Sequence, residues 1–277
     1  MKMFSDSSTG RIAPISARYL GTPTQLSDAQ VRVTSITLTA DDTDNDVMRV
    51  SLDSSDQHEI TIVVEDAVKK SLIISSDEYR STHISRIVIS AGACAELFLV
   101  VIIPHVGWSQ TELELAHLAS HAQVNIVLVG VVDGSSRAAL ITRQHHTHPA
   151  ASSSVVIKAL LDGSGQLMHH GSIVVEHAAR LTVAKQKTTA LLCSDHARAW
   201  SIPTLEVVPH EVSCAHGAAM GPLDDNQIMY AQSRGIPAAT ARRVILQGFL
   251  ADALQTLPES YQIAISKDLI DRVSGAQ

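Results

Sequence analysis

A cysteine and a histidine two residues apart, Cys214 and His216, have the types and spacing best suited to metal chemistry. Alternate residues of a β-strand point to the same face, so a strand here would present the thiol and the imidazole together. Both groups are ligands for iron, zinc or the edge of an iron–sulfur cluster. Two ligands do not complete a site, so partners must come from elsewhere. The alternative is a small buried cysteine and a turn histidine before Gly217.

Fourteen histidines are an unusual number and offer further candidates. The tract at 145–148 (HHTH) either places His146 and His148 on one face as metal ligands or forms an exposed polar loop. His169 and His170 are predicted to lie in a turn. Three others recur at turns and are interpreted as a structural stack: His121, His177 and His196. No Ser-His-Asp spacing stands out, so no catalytic residue is predicted.

The composition excludes several classes of function. The chain has 277 residues, with 21 Lys and Arg against 28 Asp and Glu, and its net charge of −7 disfavours nucleic-acid binding. No apolar segment approaches the roughly 20 residues of a membrane helix, and the N-terminus lacks the apolar core of a signal peptide. Three widely spaced cysteines do not form a disulfide framework. We therefore expect a cytoplasmic protein that contacts neither nucleic acid nor membrane.

Short apolar segments rich in β-branched residues recur from about Val31 to about Val208 and predict a mainly β region. The crossover helices of a βαβ fold are missing from this stretch. A small alanine follows a polar or small residue at several turns, as in a solenoid of stacked coils; these turns are at Cys94, His121, His177 and His196. The pattern favours a β-helix, and an antiparallel sandwich is the competing interpretation.

The hydrophobic period becomes helical after Gly221, and three helices are predicted. Asp224 is a candidate N-cap of the first helix, and Gly235 is a candidate left-handed residue at its end. The second helix begins near residue 238 and is apolar over more than one face, and the third spans 259–273. These helices either cap the last coil or form a docking module.

The chain thus divides into three regions. Residues 1–30 are expected to be poorly ordered, residues 31–222 form the β-helix core, and residues 223–277 form a helical subdomain. Gly163-Ser164-Gly165 is predicted to be a turn, because it lacks the following helix and the lysine of a phosphate loop. Any ATPase activity must therefore come from a partner.

From Arg143 to Asp252 the sequence resembles the SufB/SufD family of iron–sulfur cluster assembly proteins. The resemblance rests on motifs in the same order, of which the CAHGA segment at Cys214 and the SRGI segment at Ser233 are the most specific. The others are AARLTVAKQ at 178–186, Leu191-Leu192, Ala197, PTLEV at 203–207, Gly221, Leu223-Asp224, Tyr230, Ala241 and Gly248-Phe249. The SRGI form and the glycine after His216 resemble the SufD branch.

The resemblance implies a right-handed parallel β-helix (solenoid) followed by a C-terminal α-helical subdomain. It implies a SufD-like, non-catalytic scaffold subunit that pairs with a SufB-like chain through the β-helices. The C-terminal helices would bind a SufC-like ABC ATPase, which hydrolyses ATP. No cofactor would be bound stably by the isolated chain, and a nascent Fe–S cluster would lie at the heterodimer interface. The resemblance leaves open the type of cluster, whether a flavin associates with the complex, and whether the chain forms a homodimer or a heterodimer.

Site residues follow from the resemblance position by position. His216 matches the family histidine implicated at the interface, and Cys214 matches the neighbouring cysteine, so these two are the candidate cluster or metal ligands. Contact with the SufB-like chain is predicted for Cys214 and His216, and also for Val207, Val208 and Val212, because this apolar segment at the end of the solenoid would have a free edge. Contact with the ATPase is predicted for Leu223, Asp224, Tyr230, Arg234, Gly235, Ile236, Leu246, Phe249 and Leu250.

Two other classes of function compete with this interpretation. A secreted-type β-helix enzyme acting on carbohydrates would show aromatic platforms and a secretion signal, whereas aromatic residues are only 3% of this chain. A stand-alone metal-binding protein is favoured only by the number of histidines.

Overall fold

The computed structural model describes residues 31–40, 47–52, 57–76, 82–104 and 107–273. The predicted poorly ordered segment 1–30 lies outside these residues. The strands are β1 (Val31–Leu38), β2 (Met48–Leu52), β3 (Gln57–Val64), β4 (Lys69–Ser76), β5 (Thr82–Ala91), β6 (Glu96–Ile102), β7 (Trp108–Leu118), β8 (Gln123–Val132), β9 (Arg137–His146), β10 (Ser152–Leu161), β11 (Gln166–Val175), β12 (Val183–Leu192), β13 (Arg198–Val207) and β14 (Ser213–Pro222). The helices are α1 (Asp225–Ser233), α2 (Ala238–Leu254) and α3 (Glu259–Ile270).

Successive strands alternate between two parallel sheets. The odd-numbered strands form one seven-stranded sheet in the order β1-β3-β5-β7-β9-β11-β13, and the even-numbered strands form the other in the order β14-β12-β10-β8-β6-β4-β2. Each strand therefore pairs with the strand two positions along the chain, which defines a parallel β-solenoid. The predicted solenoid is confirmed, and the antiparallel sandwich is excluded by the parallel pairing.

Inward-facing side chains stack in columns because the strand register is kept from coil to coil. One column in the odd sheet runs through Ile60, Ile87 and Leu113, and all three are almost fully buried. A column in the even sheet runs through Leu72, Leu99, Ile126 and Val155. Thin aliphatic layers of this kind leave little room for aromatic rings, which explains the composition.

The turns from the odd sheet to the even sheet repeat one backbone conformation. The five turns from β3–β4 to β11–β12 each have a non-glycine residue with φ near +60°, at Ala67, Cys94, His121, Ala150 and Leu181, whereas the turn between β13 and β14 has none. The predicted turn repeat is therefore correct for Cys94 and His121. It is wrong for His177, which lies four residues before Leu181, and for His196, which lies in a turn from the even sheet to the odd sheet.

The ends of α1 follow the sequence signals. The side chain of Asp224 accepts a hydrogen bond from the Asn226 N–H at 2.9 Å, which confirms the predicted N-cap. Gly235 has φ +84° after the helix, the left-handed conformation that glycine adopts most readily. The predicted start of α2 near residue 238 is also correct, and α3 ends at Ile270 rather than near residue 273.

The helices lie across the outer face of the even sheet rather than over the last coil. Leu246, Leu250 and Leu254 of α2 are fully buried in a cluster with outward-facing residues of this sheet: Ile73, Val100, Val127, Val129, Val131 and Leu160. The capping arrangement considered from the sequence is therefore wrong. The broad apolar face of α2 exists because it covers a sheet that is apolar on both sides.

Lys158 on β10 makes polar and cation–π contacts with α2 that connect the helix to the sheet. Its ammonium group donates to the Phe249 carbonyl at 2.7 Å, forms an ion pair with Asp252, and lies 4.6 Å from the centroid of the Phe249 ring. Arg242 donates to the Cys193 carbonyl at 2.6 Å. No helix among the described residues combines the length and apolar character needed to cross a lipid bilayer.

Candidate functional site

The last coil, formed by β13 and β14, presents the outer edge of each sheet. Each of the two strands has one paired neighbour among the described residues, β11 for β13 and β12 for β14. Side chains that would be buried in earlier coils become accessible here, as the burial of β12 and β14 shows: residues alternate between exposed and buried in β12, whereas β14 is largely exposed. This open end displays the interior-facing residues of the solenoid to solvent or to a partner.

Cys214 and His216 lie at this end, on the interior-facing side of β14. Cys214 pairs with Ala184 and His216 with Gln186 in the register of β12 and β14. Cys214 packs against a small cluster of Ile173, Val175, Ala179 and Ala184, and Met220 of the same strand packs against the main core. His216 shares their face because alternate residues of a strand point the same way. Unlike Cys214, it is exposed.

The two candidate ligands differ in burial. Burial raises the pKa of the Cys214 thiol, and a hydrogen bond involving the Ala184 backbone acts in the opposite direction. The thiolate is the form that binds metal, so this thiol is not activated in the isolated chain. The exposed imidazole of His216 can bind a metal without first losing a proton when it is neutral.

A buried polar cluster, consisting of Thr142, His169, Gln186, Thr188 and Ser201, lies one coil below His216. The His169 Nε2 atom is 2.9 Å from Thr142 Oγ1 and 3.0 Å from Gln186 Nε2. Its Nδ1 atom is 2.8 Å from Thr188 Oγ1 and 3.3 Å from Ser201 Oγ. Gln186 Nε2 also donates to Thr142 at 3.2 Å. Three coils therefore contribute to one interior site.

His169 is neutral in this cluster. Burial, with a smaller contribution from the neighbouring His170, lowers the pKa of its imidazole to about 3. A neutral imidazole carries one N–H and one lone pair, and both ring nitrogens have hydrogen-bond partners here. The cluster is therefore a network of uncharged polar groups.

Gln186 fits this interior because residue 171 has no side chain. A Cβ atom at Gly171 would overlap the Gln186 amide. The amide crosses from the even sheet to the odd sheet, where its Nε2 atom meets Thr142 and His169. Gln186 is only 4% exposed, yet its Oε1 atom has no hydrogen-bond partner within the described part of the chain.

The histidine tract at 145–148 does not form a metal site. His146 is fully buried and contacts Ser153 Oγ at 2.7 Å, whereas the His145 ring nitrogen lies 2.8 Å from Glu176. His148 packs edge-on against His117, with ring centroids 4.7 Å apart. Strand β9 extends to His146 and sends His145 and His146 to opposite faces, so the loop interpretation is wrong for these two residues, whereas His148 lies in the partly exposed turn that follows. Burial, together with His145, lowers the pKa of His146 to about 4.

Two further sequence interpretations concern turns. His169 and His170 lie within strand β11 and not in a turn, because the apolar and polar residues around them continue the alternation of that strand. Gly163, with φ +58°, does lie in a turn, between β10 and β11. Among the described residues, no group of three or more His, Cys, Asp or Glu is placed to hold a metal ion.

The residues predicted to contact a SufB-like chain lie around the open end. Val207 ends β13 and is 38% exposed, and Val208 is 61% exposed. Val212, between the two strands, is partly buried against the same small cluster as Cys214. The structure brings these valines, Cys214 and His216 into the last coil.

The residues predicted to contact the ATPase divide into two sets. Leu223, Leu246 and Leu250 are buried, and Phe249 is partly buried against the even sheet, so their side chains do not form a surface for a partner in this structure. Five others are exposed: Asp224, Tyr230, Arg234, Gly235 and Ile236. The Arg234 guanidinium lies 5.3 Å from the centroid of the Tyr230 ring, which keeps the two side chains together.

Sequence reasoning gave no role to the buried polar cluster. Its signal was present, because Thr142, His169 and Gln186 are polar residues at inward positions of strands whose cores are mainly aliphatic in the earlier coils. These three positions cannot be recognised as neighbours until the coil length is known, since they lie 17 to 44 residues apart in the sequence.

The fold and the site together define a parallel β-solenoid with helices on its flank, whose open end carries a partly buried thiol and an exposed imidazole. Residues 54–249 match the family described as SUF system FeS cluster assembly, SufBD core domain. This match covers more than half of the chain, so the chain belongs to the SufBD family.

The chain is also similar to individual relatives, two of which carry the name of iron–sulfur cluster assembly proteins. The chain is 29% identical over 139 residues to the iron–sulfur cluster assembly protein SufD of Bacillus subtilis, covering 50% of this chain and 31% of that protein. It is 34% identical over 112 residues to the chloroplast protein ABCI7 of Arabidopsis thaliana, covering 40% and 24%. A SufBD family protein of Synechocystis is 25% identical over 186 residues, covering 66% and 40%. The matches thus span two-fifths or less of each relative.

Proposed function

We propose that this chain is a SufD-like scaffold subunit of a SUF iron–sulfur cluster assembly complex. It pairs with a SufB-like chain, binds a SufC-like ABC ATPase and catalyses no reaction itself. The observation that carries the proposal is the position of His216 and Cys214, on an edge strand at the open end of the solenoid. A right-handed sense of winding and a cytoplasmic location are parts of the same proposal.

The open end suits pairing with a second β-helix. An edge strand carries unpaired N–H and C=O groups that can extend a sheet into a partner. Leu205, Val207 and Val208 add exposed apolar area at the same end, at 40%, 38% and 61% exposure. A partner that covered this area would bring its own side chains beside His216.

A shared site follows from the chemistry of cluster binding. Iron–sulfur clusters are held by several thiolate or imidazole ligands, and this chain brings one imidazole and one thiol to the edge. The nascent cluster is the cargo of the complex in this proposal. His216 supplies a neutral imidazole, and the SufB-like chain supplies the remaining ligands. Cys214, which is partly buried, supports the strand or joins as a second ligand once deprotonated.

ATPase binding is assigned to the exposed side of the helical subdomain. Apolar residues there are more exposed than is usual for their size: Met229 64%, Tyr230 64%, Ile236 40% and Val244 59%. They lie on α1, on the turn that follows it and on α2, so one surface can include all three segments. The buried leucines of α2 hold this surface in place from behind.

The test is the iron and sulfide content of the assembled complex. The chain is coexpressed with a SufB-like chain and a SufC-like ATPase, and the complex is purified through a tag on this chain. His216→Ala should leave the subunit stoichiometry unchanged and should lower iron and sulfide severalfold. His210→Ala is the matched control, since His210 is also an exposed histidine of the last coil.

Three outcomes bear on the proposal. Recovery of both partners with cluster loss only in His216→Ala supports it. Failure of this chain to copurify with either partner overturns the scaffold role. Wild-type iron and sulfide in the assembled His216→Ala complex removes His216 from the cluster site.

A further inference from the structure

We infer that Gln186 is a positioning residue for His216: its amide oxygen, which has no partner among the described residues, accepts the imidazole N–H when the His216 side chain turns toward it, and the other ring nitrogen then faces the open end. This inference rests on the proposed function, because it explains how His216 would be presented as a ligand. The inference concerns two side chains of this chain, Gln186 and His216, and makes no statement about the geometry of the cluster.

The first observation is the register. Gln186 and His216 are paired positions on β12 and β14. The same column contains Leu72, Leu99, Ile126 and Val155 in the preceding coils, so it changes from aliphatic to polar in its last two members. Paired residues on neighbouring strands have their Cβ atoms about 5 Å apart, within reach of an amide and an imidazole.

The second observation is the unsatisfied oxygen. Gln186 is 4% exposed, and its Nε2 atom is held by Thr142 and His169 at 3.2 and 3.0 Å. Its Oε1 atom is buried without a partner among the described residues. Leaving such an acceptor unpaired costs free energy, and the residue that pairs with Gln186 on the open side is a histidine with an N–H to donate.

The third observation is how firmly the amide is held. Gly171 leaves the space that the amide occupies, and His169 is in turn held by Thr188 at 2.8 Å. A glutamine side chain with several rotatable bonds would otherwise sample many conformations. The buried polar cluster fixes it as a rigid acceptor for the next coil.

This arrangement matches the chemistry of metal-binding histidines. A ligating imidazole usually donates its second N–H to a carbonyl or carboxylate, which fixes the tautomer and the ring orientation. Gln186 Oε1 would supply that carbonyl, and the lone pair of His216 would then point away from the solenoid. The exposed end would present one defined nitrogen rather than a mixture of two.

The experiment reads the tautomer of His216 directly. The full chain is labelled with 15N-histidine, sedimented and observed by solid-state NMR near pH 8. Measurement on sedimented protein does not require the chain to be a monomer in solution. His216→Ala identifies the signals of residue 216. The wild type should show one tautomer, and Gln186→Met, which removes the acceptor but keeps the length, should show a mixture.

Thr188→Val is the matched control. Thr188 also contacts His169, but it pairs with Ala218 rather than His216. A general loosening of the cluster would change the His216 signal equally in both variants, whereas positioning by Gln186 changes it much more in Gln186→Met, because Thr188→Val leaves the acceptor in place. A mixture of tautomers in the wild type, an unchanged signal in Gln186→Met, or equal changes in both variants would each overturn the inference.

A second readout separates this inference from the proposed function. In the assembled complex, Gln186→Met should lower iron content by a factor of about 10 relative to wild type, as loss of an outer partner commonly does. Wild-type iron in the His216→Ala complex would overturn the cluster role and leave the tautomer result standing. Iron loss in His216→Ala with an unchanged tautomer in Gln186→Met would overturn only the role of Gln186.

Discussion

The amide of Gln186 occupies the interior space that a side chain at Gly171 would fill. Gln186 belongs to the even sheet and Gly171 to the odd sheet, so the Gln186 side chain crosses the interior of the solenoid and reaches the Gly171 backbone. Residue 171 follows Leu113 and Thr142 in its column. Side chains in this odd-sheet column become smaller from coil to coil, while the facing column of the even sheet gains the longer side chain of Gln186 after Val155. The larger side chain in one sheet fills the space left by the smaller ones in the other.

A methyl group at residue 171 should therefore disturb the cluster. In Gly171→Ala the new Cβ displaces the Gln186 amide and breaks its contacts with Thr142 and His169. We expect the free energy of unfolding to fall by about 1–3 kcal/mol, the usual effect of overpacking a core or losing buried hydrogen bonds. Chemical denaturation of the full chain measures this change.

Gly221→Ala is the matched control for this substitution. Gly221 lies on β14, and a Cβ atom there would have no atom within 4 Å. Its stability should stay within about 0.5 kcal/mol of wild type, as at most surface positions. Equal losses in Gly171→Ala and Gly221→Ala would show that the interior fit between Gly171 and Gln186 is not the cause.

The elements of this fold could be predicted because each depends on local signals. Short β-branched segments predict strands, and Asp224 and Gly235 mark the ends of α1 through local hydrogen bonding and backbone conformation. The solenoid could also be predicted, because the spacing of the strands and the scarcity of aromatic residues indicate stacked coils. These signals do not depend on which residues become neighbours.

The interior site could not be predicted because it depends on coil length. Thr142, His169 and Gln186 come from β9, β11 and β12, and a shift of one residue in any strand would send its side chain outward. The same reason explains the error at His146, which is buried although its neighbour His145 is only half-buried. The position of the helices also depends on long-range packing, since the face of α2 could have covered the sheet, the last coil or a partner.

Stability should fall as the pH falls below 6.5, because His169 is buried in its neutral form. Its pKa is about 3 in the folded chain and about 6.5 in an unfolded chain. Below pH 6.5 the unfolded chain takes up a proton that the folded chain does not, so the folded state loses stability. Linkage gives a loss of about 2 kcal/mol from this residue between pH 7 and pH 5.

The measurement compares unfolding free energies at pH 7 and pH 5 for wild type and His169→Gln. The variant keeps a polar side chain without a titrating ring, so its loss between the two pH values should be smaller than that of wild type by about 2 kcal/mol. His146, whose pKa is also lowered, contributes equally to both proteins and cancels. An identical pH dependence in the two proteins would contradict a neutral buried His169.

Lys158 should be needed to hold α2 against the even sheet. Lys158→Met keeps the apolar stem but removes the hydrogen bond to the Phe249 carbonyl and the interaction with its ring. We expect a loss of about 1–3 kcal/mol, typical for a charged hydrogen bond with a cation–π contact. The substitution should accelerate amide hydrogen exchange more in α2 than in β10, because the helix opens before the sheet.

Lys187→Met is the control for the loss of a positive charge. Lys187 lies on the adjacent strand β12 and is exposed, and its removal should leave the exchange of α2 unchanged. Faster exchange throughout the chain in Lys158→Met, with no preference for α2, would show that Lys158 supports the solenoid as a whole.

Exposed and buried residues of the helical subdomain should have different effects on ATPase binding. Tyr230 is 64% exposed, whereas Leu246 is fully buried against the even sheet. Tyr230→Ala should weaken binding of a SufC-like ATPase at least tenfold, a loss of about 1.4 kcal/mol that is common for an interface tyrosine. Its melting temperature should stay near that of wild type. Leu246→Ala should instead cost about 2–5 kcal/mol of stability.

Ile263→Ala, at an exposed position of α3 with 53% exposure, controls for general loss of surface apolar area. Titration of the purified ATPase with each variant, beside thermal unfolding, measures both quantities. Undiminished ATPase binding by Tyr230→Ala, or equal weakening by Ile263→Ala, would place the ATPase elsewhere on the chain.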